Sequence, residues 1–330
     1  MAEAPTAPRL ESLHPRLAGF DAFFSGALMQ QLEAAEAERR RHVRPVLLKG
    51  GLVIATGIAI AISGFLADDV ETFGQLSVAG GILLVMFGLA WVAKPLRKAR
   101  ESGSGALIQG VCGFLKLRYS HAVGDFPFAR FGGAGVIPQH DRKTLEDRIG
   151  GEHDGVAFEL IEAKLEQRRT TTDGKGRTRT YYVTVFNGLL IDAASPRSFQ
   201  GRTLVTADSG KIGNLLGGLF RKDERVTLES PEFEKHFEVY ATDQVEARVL
   251  LTTTMMERLV ALKDEMKTPP RAAFVDGRVL LAIPRTGDQF EAGGLFSSLT
   301  EPKHIQEAVS ELCAVFRVLD TLQLRQGAKA

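Results

Sequence analysis

Two charge-free runs constrain this chain more than any other feature. Gly50–Ala67 reads GGLVIATGIAIAISGFLA and Gly74–Ala93 reads GQLSVAGGILLVMFGLAWVA, with only Asp68–Phe73 between them. A helix rises about 1.5 Å per residue, so each run is about the length that crosses a hydrocarbon core of roughly 30 Å. A core helix of a soluble domain normally carries a polar stripe, and neither run does. The expectation is a two-helix transmembrane hairpin within 46–100, with spans at about 50–67 and 74–93.

Charge gives the hairpin a direction. Arg39, Arg40, Arg41, Arg44 and Lys49 precede the first run and Lys94, Arg97, Lys98 and Arg100 follow the second. The turn between them holds Asp68, Asp69 and Glu71 and no base. Basic flanks stay in the cytoplasm, so both termini are expected there, in a two-span, multi-pass protein of a bacterial cytoplasmic (inner) membrane. Met1–Pro8 is not a basic stretch leading into an apolar run, so the first span reads as an anchor, not a cleaved signal. Trp91 falls at headgroup depth. Ala55, Ala59 and Ser63 recur at helical spacing, as do Gly57 with Ala61 and Ser77 with Gly81; such residues let backbones approach, within the hairpin first and between copies second. The spans contain no Asp, Glu, Lys, Arg or His, which leaves an ion pathway without residues and argues against a transporter.

Outside the spans the charges nearly cancel, 41 basic against 40 acidic, so no overall field marks a nucleic-acid partner. Cys112 and Cys313 are the two cysteines; far apart and without a C-x-x-C partner, they favour neither a disulfide framework nor a structural zinc site. In the segment 1–45, Leu10, Leu13, Leu17, Phe20, Phe24, Leu28 and Leu32 fall on one face of a helix expected to end in the Arg-rich stretch before Pro45. That face is expected to dock on the cytoplasmic domain; pairing with a second copy or lying in the membrane interface are the other uses. His14 and His42 on this segment are expected in solvent.

The remainder, 101–330, reads as a cytoplasmic α+β domain with an antiparallel sheet and flanking helices. It opens on a Gly/Ser linker, Glu101–Gly105, and divides into a β-rich part, 120–229, and an α/β part, 230–330. Ile108, Val111, Cys112 and Leu115 take helical spacing, which makes Cys112 a core residue. His121–Gly151 is irregular, and its FGGAGVIP reads as turn residues. Val156, Phe158 and Leu160 alternate, then Ile161, Ala163 and Leu165 alternate with opposite parity, which suggests a bulge near Leu160. A polar loop, Arg168–Thr180, joins this strand to one through Val183, Val185, Leu189 and Ile191. Further strands are expected at Arg202–Thr206 and Arg225–Glu229, and a loop at Asp208–Phe220.

Ser230-Pro231 suits a helix start. Asp243 with Glu246, and Thr254 with Glu257, have capping-box spacing and predict two successive helices. Asp276-Gly277 is the strongest hairpin signal. Ile305, Ala308, Val309, Leu312, Val315, Phe316, Leu319 and Leu322 mark one face of a last helix. From SPEFEKHFEVYATDQVEARVLLTTTMMERL, Ser230–Leu259, through AAFVDGRVLLAI to that helix, the chain resembles a bacterial two-span membrane family catalogued only as a domain of unknown function, number 3137. The resemblance implies the architecture and carries over no site residue.

No H-E-x-x-H, G-x-S-x-G, cysteine cluster or nucleotide-loop spacing occurs, so no catalytic, metal or cofactor residue is assigned. His140-Asp141 and His153-Asp154 are sequence neighbours that a strand would point apart, and Glu159, Glu162 and Glu166 read as the solvated face of a strand. The reading is a membrane-tethered interaction or scaffold module, with the lipid bilayer, a protein at the cytoplasmic membrane face or a second copy as partner. The alternative is an enzyme acting at that face. The candidate contact is the polar loop, where Arg168, Arg169, Lys175, Arg177 and Arg179 oppose only Asp173. They either meet anionic lipid headgroups or keep a hairpin tip soluble.

Overall fold

The computed structural model describes residues 10–66, 74–195, 197–207, 223–285, 300 and 302–322. The acidic turn, the Asp208–Phe220 loop and Met1–Pro8 lie outside the described residues. By internal packing the chain forms two compact units, Met1–Val111 with Phe290–Ser310, and Cys112–Gln289 with Glu311–Ala330.

In the first unit the predicted apolar face is real but only partly α-helical. Leu10–Leu13 and Pro15–Leu17 are 3-10 turns, α1 is Phe20–Phe23, and a π-turn, Phe24–Leu28, leads into α2, Met29–Phe65. Pro15 and the left-handed Gly19 (φ 78°) break the α pattern. Leu10, Leu17, Phe20, Phe24, Leu28 and Leu32 are nonetheless buried. His14, expected in solvent, is buried, and its Nδ1 accepts from Arg16 N–H (3.2 Å), which caps the second turn. The side chain of His42 lies outside the described residues.

The segment does not end before Pro45. The α2 helix runs through that proline to Phe65, and α3, Gln75–Phe114, runs through the basic flank and the expected Gly/Ser linker without a break. Serine and glycine are poor helix formers, but extending a helix already nucleated on both sides costs far less than starting one. The two helices pack antiparallel through small residues. A Cβ built on Gly57 would meet Gly81 O (2.9 Å), one on Gly64 would meet Gly74 O (2.8 Å), and Gly50 faces Val92. The Gly57–Ala61 and Ser77–Gly81 pairs make this contact, while Ala55, Ala59 and Ser63 point outward. Both helices are long and apolar enough to cross a membrane, and only 11% of each apolar window is buried.

In the second unit the described residues form a nine-stranded antiparallel sheet. Its strands are β1 (Arg118–Ser120), β2 (Arg142–His153), β3 (Val156–Thr172), β4 (Thr178–Ala194), β5 (Thr203–Ala207), β6 (Glu224–Val226), β7 (Phe237–Ala241), β8 (Arg271–Val275) and β9 (Arg278–Pro284). Their order is β1-β2-β3-β4-β9-β8-β5-β7-β6. One sheet thus runs through both the β-rich and the α/β stretch. The parity change in β3 needs no bulge there, because each face of the sheet is covered in its own part. Ile161, Ala163 and Leu165 join Leu190, Leu280 and Phe131 in one core, beneath α4 (Phe128–Ala134). Phe158, on the other face, meets Phe316 of α8 (Pro302–Leu322) edge-on at 6.3 Å. The register shifts fall in the neighbouring strands, between Glu146 and Ile149 of β2 and at Val185 of β4.

Ser230 caps α5, Pro231–Glu234, and Asp243 caps α6, Gln244–Leu250. The cap of α7, Thr253–Met266, is Thr252, not Thr254. Glu246 does not close a capping box; its carboxylate accepts from Gln200 N–H (2.9 Å) and Gly201 N–H (2.6 Å), tying down the approach to β5. Asp276-Gly277 forms the predicted hairpin with both residues at positive φ, as a type I′ turn requires. Asp154-Gly155 does the same between β2 and β3.

Candidate functional site

The predicted polar loop is mostly strand. β3 and β4 stay paired to Thr172 and Thr178, so the turn shrinks to Asp173–Arg177 and the remainder becomes a two-stranded arm. β2 leaves β3 at Glu166, and β9 leaves β4 at Gly188. Past Glu166 the arm continues for about 20 Å at roughly 3.3 Å per residue, with no further strand along either edge among the described residues. At the tip, Asp173 accepts from Lys175 N–H (3.0 Å) and Arg177 N–H (2.9 Å) and pairs with Arg177 Nε (3.0 Å). These donors hold the Asp173 carboxyl below its ordinary pKa, the Arg177 N–H most of all.

Cross-strand register sorts the arm into two faces. One carries Arg169, Thr171, Arg179, Tyr181 and Val183; the other carries Arg168, Thr170, Thr172, Thr178, Thr180 and Tyr182. Tyr181 and Val183 are 46% and 39% exposed. Arg142 stacks over Tyr182 at 3.4 Å and stiffens the root. Of the five bases named from sequence, Arg177 is spent on Asp173, while the side chains of Arg168, Arg169, Lys175 and Arg179 are exposed and without a carboxylate partner among the described residues. The arm therefore brings all five onto one ribbon and adds Tyr181 and Val183, which the sequence reading left aside.

The other candidates disperse. Glu159 and Glu162 point to opposite faces; Glu159 pairs with Arg148 (2.8 Å), and Glu162 is buried, not solvated. His140 Nδ1 sits 3.0 Å from Pro138 O, and Asp141 accepts from Arg168 N–H (2.7 Å). His153 is buried, stacked on Phe316 (4.9 Å) and paired with Asp320 (2.7 Å), away from its sequence neighbour Asp154. Two clusters had no sequence signal because their members lie far apart in the chain. Asp192, fully buried, holds Arg278 (2.7 Å) and Arg130 (3.2 Å). Asp147, left-handed at φ 53°, accepts from Tyr119 (2.6 Å) beside His121 Nδ1 (3.0 Å). Burial, then that carboxylate, pushes the Tyr119 phenol well above its usual pKa. Burial likewise raises the thiols of Cys112, to about 12, and Cys313, to about 11, so neither is poised as a nucleophile.

Residues 184–324 match the family model described as "Protein of unknown function (DUF3137)". Among solved structures, the crystal structure of the mycobacterial trehalose monomycolate transport factor A, TtfA, has a TM-score of 0.35 and 10% identity, over 69% of this chain and 99% of that one. That likeness is too slight to carry a conclusion. No curated protein matches.

Proposed function

We propose that this chain, which carries over 184–324 a domain matching the DUF3137 family of unknown function, is a membrane-tethered binding module whose arm engages an anionic lipid surface. Two features support the tether: exposed apolar side chains along both sides of the α2–α3 hairpin, such as Leu52, Ile62, Leu83 and Phe87, and the absence of charge within the spans. Water would not tolerate that continuous apolar surface, whereas acyl chains match it.

The observation that carries the binding role is the arm face on which Arg169 and Arg179 flank exposed Tyr181 and Val183. An amphipathic ring beside guanidinium groups suits the headgroup layer. Each base near an anionic surface contributes about 1 kcal/mol, so removing three weakens binding by about a hundredfold.

The test uses the full chain in phosphatidylcholine nanodiscs, with and without phosphatidylglycerol, carrying an environment-sensitive dye at Lys175→Cys. A blue shift only with the anionic lipid, reversed by salt and lost in the R168Q/R169Q/R179Q chain, is expected. The same emission in both lipids would rule the contact out.

A further inference from the structure

At the root of the arm, on the sheet face carrying Leu190 and Leu280, a cavity of about 250 Å³ opens between the end of β9, the start of β8 and the Val185 bulge. Phe186 and Pro284 form apolar walls, and Thr184, Asn187, Arg271 and Arg285 supply the polar groups. Two guanidiniums meet there with no carboxylate in the lining.

Elsewhere in this unit partly buried arginines hold acids: Arg148 takes Glu159 and Asp125, Arg202 takes Asp223, and Arg278 takes Asp192. Arg285 reaches the Met266 sulfur (3.5 Å), and Arg271 differs from all of these. Its side chain is half-buried and has no hydrogen-bond or ion-pair partner among the described residues. Burial lowers its pKa from the ordinary value with nothing opposing the shift. A cation in that position is costly unless an anion joins it.

We infer that this cavity is a binding site for a small oxyanion, a phosphate or carboxylate group gripped by Arg271 and oriented by Asn187 and Thr184. A guanidinium fork fits two oxygens of either group at once. The volume lies just under the roughly 300–1,000 Å³ of pockets for drug-sized ligands, which suits the anionic end of a molecule or a small free anion. The site stands apart from the proposed lipid contact, since none of Arg168, Arg169, Lys175 and Arg179 lines it.

The experiment is thermal unfolding of the full chain in uncharged detergent, titrated with inorganic phosphate against chloride at constant ionic strength, then repeated in phosphatidylcholine nanodiscs with and without phosphatidate. A ligand that binds only the folded state raises Tm with concentration. A saturable rise with phosphate marks a free anion as ligand, and a rise with phosphatidate alone marks a lipid headgroup. In R271Q the rise should vanish and Tm without anion should exceed that of the wild type, because the uncompensated cation is gone; R271K should keep a response weakened about tenfold. The nanodisc series is run on the R168Q/R169Q/R179Q chain, with and without R271Q, so that the arm's own lipid contact does not enter the reading; with inorganic phosphate R168Q/R169Q/R179Q should respond as the wild type does. A wild-type chain with no dependence on either anion overturns the assignment, as does an R271Q chain that responds like the wild type.

Discussion

Asp192 shows how much of this fold depends on single side chains. It sits on β4 with no exposed surface, and Arg278 and Arg130 converge on it from β9 and α4. Asp192→Ala leaves two guanidiniums facing an apolar core; the expected cost is about 3 kcal/mol, the low end for breaking a buried pair because Arg130 is half in water. The shift of the urea midpoint measures it, and a loss under 1 kcal/mol would show that water takes the carboxylate's place. The thiols behave oppositely, since nothing polar awaits them. With pKa values raised by burial to about 12 and about 11, Cys112 and Cys313 remain protonated at pH 8. Both should ignore a disulfide reagent in the folded chain and react fully in denaturant.

Among the elements, the helix hairpin is held by close backbone approach and so by the absence of side chains. Gly81→Ile would drive a branched side chain into Gly57 O and Ala61. A disulfide between cysteines placed at Gly50 and Val92, adjacent in the native hairpin, should form readily in the parent and poorly in the Gly81→Ile chain. Such contacts were legible in the small-residue spacing, though sequence could not say which of two stripes turns inward. The Asp276-Gly277 turn and the buried face of α8 were equally legible, because turn chemistry and helical period are local. Edge β2 was not. Its apolar positions reduce to Leu145 and Ile149, and Gly150-Gly151 mask the strand, although Gly151 is where Leu117 packs. Most of the arm was misread as a loop because Arg168–Thr180 is polar on both faces and so lacks the alternation that betrays a half-buried strand. The oxyanion cavity left no pattern, since Asn187, Arg271 and Arg285 meet only through the pairing of β4, β8 and β9.

For the whole molecule, the proposed function divides the labour between an apolar hairpin and a sheet unit bearing a basic arm. The charge asymmetry predicts that the sheet unit, which follows the second run in the chain, stands on the same side of the bilayer as the basic flanks, Arg39–Arg44 and Lys94–Arg100, with Asp68–Glu71 on the other. The most direct measurement is cysteine labelling in intact spheroplasts with an impermeant thiol reagent, once Cys112 and Cys313 have been replaced. A cysteine at Asp69 should label without lysis, whereas cysteines at Gly103 and at Lys175 in the arm should label only after lysis. Labelling of Lys175→Cys in intact spheroplasts, or protection of Asp69→Cys there, would contradict the account.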